Sequence, residues 1–204
     1  MKLFLASLAS ETLDLVLPLL PAKPKKLKLA YIPTAADPYD LDKRSWAEDN
    51  YTKLTSMGFE IITYDLKDKN PVLLRQDLAS FQVIFVEGGN VFYLLNEIKK
   101  SGFDLVIKEL LTKDIVYIGS SAGSMIMGPD LKHLITVDDP GIVPELTDFT
   151  SLNYLKERII PHAGRAKYAE KHANLQKEWG DQILLLRDDQ ALVVNDDKIE
   201  VVTK

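Results

Sequence analysis

The stretch that decides the fold of this chain is Ile115-Val116-Tyr117-Ile118-Gly119-Ser120-Ser121-Ala122-Gly123. Its first four residues are apolar and partly β-branched, which indicates a buried strand, and the residues from Ala122 onward can open a helix. Ser121 therefore stands at a sharp strand-to-helix turn with glycine two positions away on either side, the pattern of a nucleophile elbow. The turn strains the backbone, and the glycines let the neighbouring chain pass without a Cβ clash. The sequence thus predicts an exposed serine nucleophile.

Further apolar runs of strand length recur along the chain, mostly separated by segments of helical periodicity. Strands that alternate with helices predict an α/β fold with a mostly parallel sheet. Two final runs flank an Asn-Asp-Asp turn and predict an antiparallel C-terminal β-hairpin appended to that sheet. With 204 residues and 46% hydrophobic content, we expect one domain over residues 1–204. The predicted strands are a first core strand at the N-terminus, residues 28–32, 59–65, 83–86, 115–118 and 183–186, and the hairpin strands 191–195 and 198–202.

Three helix boundaries follow from capping residues. The segment 41–57 has helical periodicity and ends at Gly58, a natural C′ residue. Asn70 precedes a proline at the first helical position, and Asn90 precedes the apolar-periodic segment 91–98, so both asparagines are predicted N-caps.

The composition excludes several classes of function. Lys and Arg total 25 against 30 acidic residues, a net charge of -5, and without a dense basic stripe no nucleic-acid partner is expected. The chain has no cysteine, which rules out disulfides, thiolate metal sites and a cysteine nucleophile. The histidines do not follow a metal-ligand spacing, so we expect neither a metal nor an organic cofactor.

The N-terminus resembles a short signal peptide, but its apolar part is brief and is interrupted at Glu11 and Asp14. We interpret it as a core strand followed by a helix. No later stretch approaches the roughly 20 apolar residues of a membrane span. The expected location is the cytoplasm, with no membrane partner.

A serine hydroxyl needs a base, and the usual base is histidine. Of the 3 histidines, His133 and His172 lie in polar surroundings that favour solvent exposure. His162 instead ends a short apolar run before Gly164, a strand-end position where α/β sites assemble. A structural loop histidine is an equal alternative for His162.

A third group should orient the imidazole, and a carboxylate at another strand end suits this role. Asp188 directly follows the strand 183–186, whereas its neighbour Asp189 would point elsewhere. Asp138, in the irregular segment 129–161 after the elbow, is a rival that the sequence leaves open. We expect that segment to line the site.

Acyl transfer also needs donors for an oxyanion, usually backbone amides. The Gly88-Gly89-Asn90 turn follows the strand 83–86, and we predict the Gly89 amide as one donor and the Ala122 amide as the other. Asn90, in the same turn, is a candidate substrate contact. The turn is too short for a dinucleotide fingerprint or a phosphate loop.

Gly88-Gly89-Asn90, the elbow around Ser121 and the pair Pro161-His162 together resemble the peptidase E (aspartyl dipeptidase) family of serine peptidases along most of the chain. The resemblance implies a flavodoxin-like sheet with helices on both faces, as in class I glutamine amidotransferases. It implies Ser121 as nucleophile and His162 as base. The family's acid, a glutamate before a C-terminal strand, falls on Asp188, and an older family assignment falls near Asp138.

This chain departs from the family pattern beside the nucleophile. Members that cleave after an N-terminal aspartate usually have tryptophan before the serine, where Ser120 stands here, and Ala-Asn where Ser124-Met125 stands. An acidic substrate side chain would need a cation, and Arg165 is the nearest candidate.

The expected function is hydrolysis of short peptides, including dipeptides with an N-terminal aspartyl residue in α or β linkage, through an acyl-enzyme. An α/β-hydrolase esterase is one alternative, disfavoured by the chain order Ser, His, Asp. A catalytically inactive, amidotransferase-like binding or regulatory domain is another. Amidotransfer itself would need a cysteine.

Overall fold

The computed structural model describes residues 1–204 and contains nine strands. Seven strands form the central sheet in the order β3-β2-β4-β5-β1-β8-β9. The pairs from β3 to β1 are parallel, and the hairpin strands β8 and β9 are antiparallel. The strands are β1 (Lys2–Ala6), β2 (Lys28–Ile32), β3 (Glu60–Thr63), β4 (Val83–Val86), β5 (Val116–Ser120), β6 (Arg158–Ala163), β7 (Ile183–Arg187), β8 (Gln190–Asn195) and β9 (Lys198–Thr203). The predicted flavodoxin-like α/β fold with a C-terminal hairpin is confirmed.

Seven α-helices connect the strands, and none is long and apolar enough to cross a membrane. They are α1 (Ala9–Thr12), α2 (Ser45–Met57), α3 (Pro71–Leu78), α4 (Val91–Ser101), α5 (Phe103–Leu110), α6 (Ala122–Met125) and α7 (Ala169–Trp179). Short 3-10 helices cover Leu13–Leu19, Pro24–Lys26, Thr34–Ala36, Leu41–Lys43, Lys132–Leu134, Pro140–Ile142, Ala166–Tyr168 and Gly180–Gln182.

The predicted helix boundaries are confirmed by their capping geometry. Gly58 ends α2 in a left-handed conformation with φ 92°. The Asn70 side chain accepts from the first amides of α3, and the Asn90 side chain accepts from the Tyr93 amide of α4. The predicted segment 41–57 is divided at Arg44, whose backbone is not helical at φ -109° and ψ 29°. The Arg44 guanidinium donates to the carbonyl oxygens of residues 37 and 39.

Both faces of the central sheet are buried at its inner strands, whereas the edge strands β3 and β9 are largely exposed. Leu3 and Leu5 of β1 belong to a core cluster of 39 buried residues, whereas Phe4 and Ala6 belong to a second cluster of 16. Alternate side chains of one strand therefore pack into different cores, since successive residues of a strand point to opposite faces. Burial on both faces explains why the strands are continuous apolar runs.

The predicted strand 183–186 exists as β7, but its place in the central sheet was wrong. It pairs in parallel with β6 in a separate two-stranded sheet. The edge of β1 away from β5 is already occupied by β8, which pairs with β1 along its whole length. The small sheet instead carries His162 and leads directly into Asp188.

Candidate active site

Ser121 occupies the strand-to-helix turn between β5 and α6, as predicted, and its backbone is strained at φ 48° and ψ -105°. A Cβ on Gly119 would lie 2.4 Å from the Gly123 carbonyl oxygen, and one on Gly123 would lie 2.1 Å from the Val86 carbonyl oxygen. Real Cβ atoms do not approach so closely, so only glycine fits at either position. The two glycines therefore permit the turn that presents the Ser121 hydroxyl.

The structure brings His162 and Asp188 to this hydroxyl. The Nε2 atom of His162 lies 3.2 Å from the Ser121 Oγ, and its Nδ1 lies 2.7 Å from the Asp188 Oδ1. Because a carboxylate can only accept a hydrogen bond, Nδ1 carries the proton and Nε2 is free to accept from the serine. Ser121, His162 and Asp188 thus form a continuous hydrogen-bonded series.

The charges of this series suit a neutral imidazole. Burial lowers the pKa of His162, against the hydrogen bond from its ring to Asp188, which raises it. Burial alone would raise the pKa of Asp188, but the hydrogen bonds from His162 and Arg165 outweigh it and lower the pKa. At neutral pH the imidazole is therefore uncharged and the carboxylate is ionised.

Ser7 fixes the relative position of His162 and Asp188, a role that the sequence reasoning missed. The fully buried Ser7 hydroxyl accepts from the His162 backbone N–H at 2.7 Å and donates to the Asp188 Oδ1 at 3.2 Å. Ser7 directly follows β1, so it reaches the site from the carboxyl end of a central strand. The strand-end rule that selected His162 and Asp188 also applies to this position, but a serine after a strand is common and only its contacts in the structure reveal the role.

Arg165 lies at the site, but its side chain is already paired with another residue of the chain. Its Nε donates to the second carboxylate oxygen of Asp188, in an ion pair that is partly exposed. Asp189 points away and pairs with Arg187, as expected. Arg165 also lines the larger of the two cavities described below, where the neighbouring Lys167 adds a second positive charge.

Asp138 and Asn90 are joined to each other. The Asn90 amide donates to the Asp138 Oδ1 at 3.0 Å while its oxygen caps α4, and the Val91 N–H donates to the Asp138 Oδ2 at 2.8 Å. Asp138 lines a cavity wall, but its carboxylate hydrogen-bonds at the start of α4 and not with His162. Burial raises the pKa of Asp138. Asn90 is buried and lines neither cavity, with both ends of its amide engaged.

The two predicted amide donors belong to residues next to the nucleophile, Gly89 in the shared cavity lining and Ala122 in the chain. Gly89 lines both cavities, and its N–H makes no hydrogen bond within the protein. Ala122 is the first residue of α6, where helical N–H groups have no partner in the helix, and its side chain is fully buried.

Two cavities meet at the Ser121 hydroxyl, with volumes of about 120 and 300 Å³. About half of the residues that line the smaller cavity are hydrophobic, and several lining residues come from the irregular segment 129–161, as predicted. The larger cavity carries the charges of Arg165 and Lys167. Residues shared by both cavities are Tyr39, Gly89, Ser121, His162 and Tyr168.

The predicted solvent exposure of His133 and His172 was wrong. His172 is 7% exposed and lines the smaller cavity, where Tyr168 stacks between its ring and that of His162. His133 is 3% exposed, and neither ring nitrogen has a hydrogen-bond partner. Both lie in locally polar sequence, so only the tertiary packing of the segments around β6 and α7 could reveal their burial.

A serine on a strand-to-helix elbow at the carboxyl end of an inner strand of a flavodoxin-like sheet, with a histidine and a carboxylate in series, defines the class of serine hydrolases. The model of peptidase family S51 matches residues 3–202, and the chain belongs to that family. It is therefore a serine-type peptidase, and the resemblance to peptidase E is confirmed.

Relatives in sequence and structure agree with this assignment. The chain is 29% identical over 198 residues to the uncharacterized peptidase PM1590 of Pasteurella multocida, covering 96% of this chain and 94% of the relative. It is 38% identical over 88 residues to Peptidase E of Shewanella oneidensis, which covers 43% of this chain and 36% of the relative. The crystal structure of a candidate Peptidase E protein from Listeria monocytogenes EGD-e superposes with a TM-score of 0.92 at 25% identity, covering 100% of this chain and 98% of the other.

Proposed function

We propose that this peptidase hydrolyses short peptides through a triad of Ser121, His162 and Asp188 and a covalent acyl-enzyme. The observation that carries the proposal is the hydrogen-bonded series from the serine hydroxyl through both imidazole nitrogens to the carboxylate, at 3.2 and 2.7 Å. A serine hydroxyl is a weak nucleophile without such a base. The low pKa of His162 keeps that base neutral and ready to accept a proton at neutral pH.

In the first half-reaction, the Ser121 oxygen bonds to the peptide carbonyl carbon while its proton moves to the His162 Nε2. The tetrahedral intermediate then collapses, its C–N bond breaks, and the same proton passes to the leaving amine. Asp188 holds the imidazole in the required tautomer and stabilises its charged form. The second half-reaction repeats these steps with water, which releases the acid product and returns the proton to Ser121.

The negative oxygen of each tetrahedral intermediate requires fixed donors. We assign this role to the N–H groups of Gly89 and Ala122, which flank the serine. The support is that the Gly89 amide is unused and lines both cavities, and that Ala122 begins a helix. Asn90 then builds the site through the cap of α4, and does not contact substrate.

The dimensions of the cavities favour a short substrate. Volumes of about 120 and 300 Å³ on the two sides of Ser121 suit one or a few residues on each side of a scissile bond. An N-terminal aspartyl side chain would fit in the larger cavity, beside Arg165 and Lys167. The ion pair with Asp188 takes up part of the Arg165 charge, whereas Lys167 does not pair with Asp188 and its charge is left for the substrate carboxylate. The smaller cavity, with Asp138 in its wall, would repel such a side chain.

The proposal is tested with a fluorophosphonate probe and a panel of dipeptides varied at the first residue, including α- and β-aspartyl forms. We expect wild-type protein to be labelled at Ser121 and to cleave at least one dipeptide, and Ser121→Ala to do neither. A folded wild-type protein that the probe does not label would contradict the proposal. It would favour a binding or regulatory role for the domain instead.

A further inference from the structure

Glu87 is a fully buried carboxylic acid that the reaction proposed above does not use. It follows β4 directly and precedes the Gly88-Gly89 turn. A buried carboxyl group costs free energy unless hydrogen bonds satisfy it. Its neighbours are neutral hydrogen-bond donors, among which Tyr31 is the one titratable side chain.

The two oxygens of the Glu87 carboxyl face different parts of the protein. The Oε1 atom accepts from the Gly88 backbone N–H at 2.6 Å and from the Asn50 amide at 2.7 Å. The Oε2 atom accepts from the Tyr31 hydroxyl of β2 at 2.7 Å. One oxygen thus holds the Gly88-Gly89 turn, and the other only joins Glu87 to the neighbouring strand.

Asn50 extends this connection to the residue before the nucleophile. Its amide nitrogen also lies 3.3 Å from the Ser120 Oγ, which accepts a further hydrogen bond from the Ala9 N–H. Ser120 stands where the resemblance would place tryptophan. A chain of hydrogen bonds therefore runs from Glu87 to both the Gly88-Gly89 turn and the end of β5.

The Gly88 backbone lies beside the nucleophile, with no room for a side chain between them. A Cβ on Gly88 would lie 3.2 Å from the Ser121 Cβ, so the space between them is already closed. A shift of Gly88 would move the Gly89 N–H relative to the Ser121 hydroxyl. Oxyanion stabilisation depends on donor positions to within tenths of an ångström.

We propose that Glu87 is a positioning residue for the hydrolysis, which sets the Gly88-Gly89 turn against Ser121 through its Oε1 atom. The inference rests on the proposed function for its kinetic effect, but the hydrogen bond to Gly88 can be measured without turnover. Burial raises the pKa of Glu87 to about 7, against the hydrogen bonds that lower it. Glutamine is therefore a close mimic, since its oxygen can accept from Gly88 and Asn50 while its NH2 donates to Tyr31.

The test compares Glu87→Ala with Glu87→Gln and with the matched control Tyr31→Phe. The control removes the hydroxyl that donates to Oε2 and also lies 3.3 Å from the Ala47 carbonyl oxygen, but it leaves both hydrogen bonds to Oε1 in place. The measurements are kcat and KM for a cleaved dipeptide, and hydrogen exchange of the Gly88 amide by NMR. We expect Glu87→Ala to lower kcat about 100-fold with KM within about threefold, and to expose the Gly88 amide. Glu87→Gln should restore kcat to within about fivefold, and Tyr31→Phe should leave it within about twofold.

Wild-type kcat and a protected Gly88 amide in Glu87→Ala would overturn the proposal. If Glu87→Ala does not fold, Asn50→Ala replaces it, with an expected loss of about tenfold in kcat, and unchanged kcat there would overturn it too. If the wild-type protein cleaves no peptide, the peptidase proposal fails separately. Hydrogen exchange of the Gly88 amide still tests the inference in that case. Faster exchange in the Glu87 or Asn50 variant but not in Tyr31→Phe supports the inference, and unchanged exchange in all variants refutes it.

Discussion

The two halves of the site rest on different kinds of support. Ser121 follows β5, whose residues are all buried within the seven-stranded sheet. His162 lies on β6 and Asp188 follows β7, two partly exposed strands that pair only with each other. The nucleophile is thus fixed by the hydrophobic core, whereas the base and acid depend on a small sheet and on the hydrogen bonds of Ser7. Catalysis requires the two halves to keep their positions relative to each other.

The largest expected loss of kcat comes from breaking the hydrogen bond between Ser121 and His162, which joins the two halves of the site. Ser121→Ala and His162→Ala should each lower kcat about 10⁴- to 10⁶-fold, and the double variant should lose little more, because the members of a triad act as a unit. Steady-state hydrolysis of a cleaved dipeptide measures this. Additive losses in the double variant would show that the two side chains act independently.

The second effect distinguishes the two aspartates. Asp188→Asn should lower kcat about 10³- to 10⁴-fold, because an amide in place of the carboxylate allows the wrong imidazole tautomer. Asp138→Asn should change kcat less than about tenfold, because its carboxylate hydrogen-bonds at the start of α4.

The pH dependence supplies a separate check on Asp188. Activity of the wild type should fall only below pH 6.5, since the pKa of His162 is lowered and the base must be neutral. In Asp188→Asn this decline should move to lower pH, because the carboxylate raises the pKa of His162. The reverse ranking of the two asparagine variants would transfer the acid role to Asp138.

A smaller loss of kcat is expected from removing the Ser7 hydroxyl, which connects the end of β1 to His162 and Asp188. Ser7→Ala should lower kcat about tenfold, because the His162 N–H and the Asp188 oxygen lose a shared partner. Ser124→Ala is a matched control, since Ser124 is equally buried beside β1 but donates to the Ala6 carbonyl oxygen. Equal kcat losses in both variants would indicate general destabilisation, which urea unfolding of each variant would detect.

The smallest expected effect is on the free energy of unfolding, and it comes from a buried histidine near β6. His133 is buried beside Trp179, whose ring also contacts Arg158 of β6, and burial lowers the pKa of His133 to about 4. The unfolded chain then binds more protons between pH 6.5 and about 4, so stability falls as the pH falls through this window.

His133→Leu should remove this dependence. Its free energy of unfolding should decline less than that of the wild type between pH 7 and 4, by up to about 3 kcal/mol. Urea unfolding at several pH values measures the difference. Parallel curves for the two proteins would mean that His133 is accessible to protons in the folded state.

The elements of the central sheet were predictable because local signals determined them. The apolar runs around β2, β4 and β5 and the caps at Asn70 and Asn90 fall where the sequence placed them. The elbow was predictable because its glycines avoid steric clashes with residues nearby in the sequence and with the adjacent strand β4.

Features that depend on distant contacts were not predictable. Whether β7 joins the central sheet depends on β8 having occupied the edge of β1. The burial of His133 and His172 depends on packing between segments that are separate in sequence. Ser7 and Glu87 were overlooked because a serine or a glutamate after a strand is common, and only its partners across the sheet give it a role.

The positive φ of Ser121 lowers the stability of the folded protein. A side chain there costs on the order of 1–3 kcal/mol, which glycine would relieve. Ser121→Gly should therefore yield a more heat-resistant but inert protein. The strained turn is therefore a stability cost located at the one side chain proposed as nucleophile.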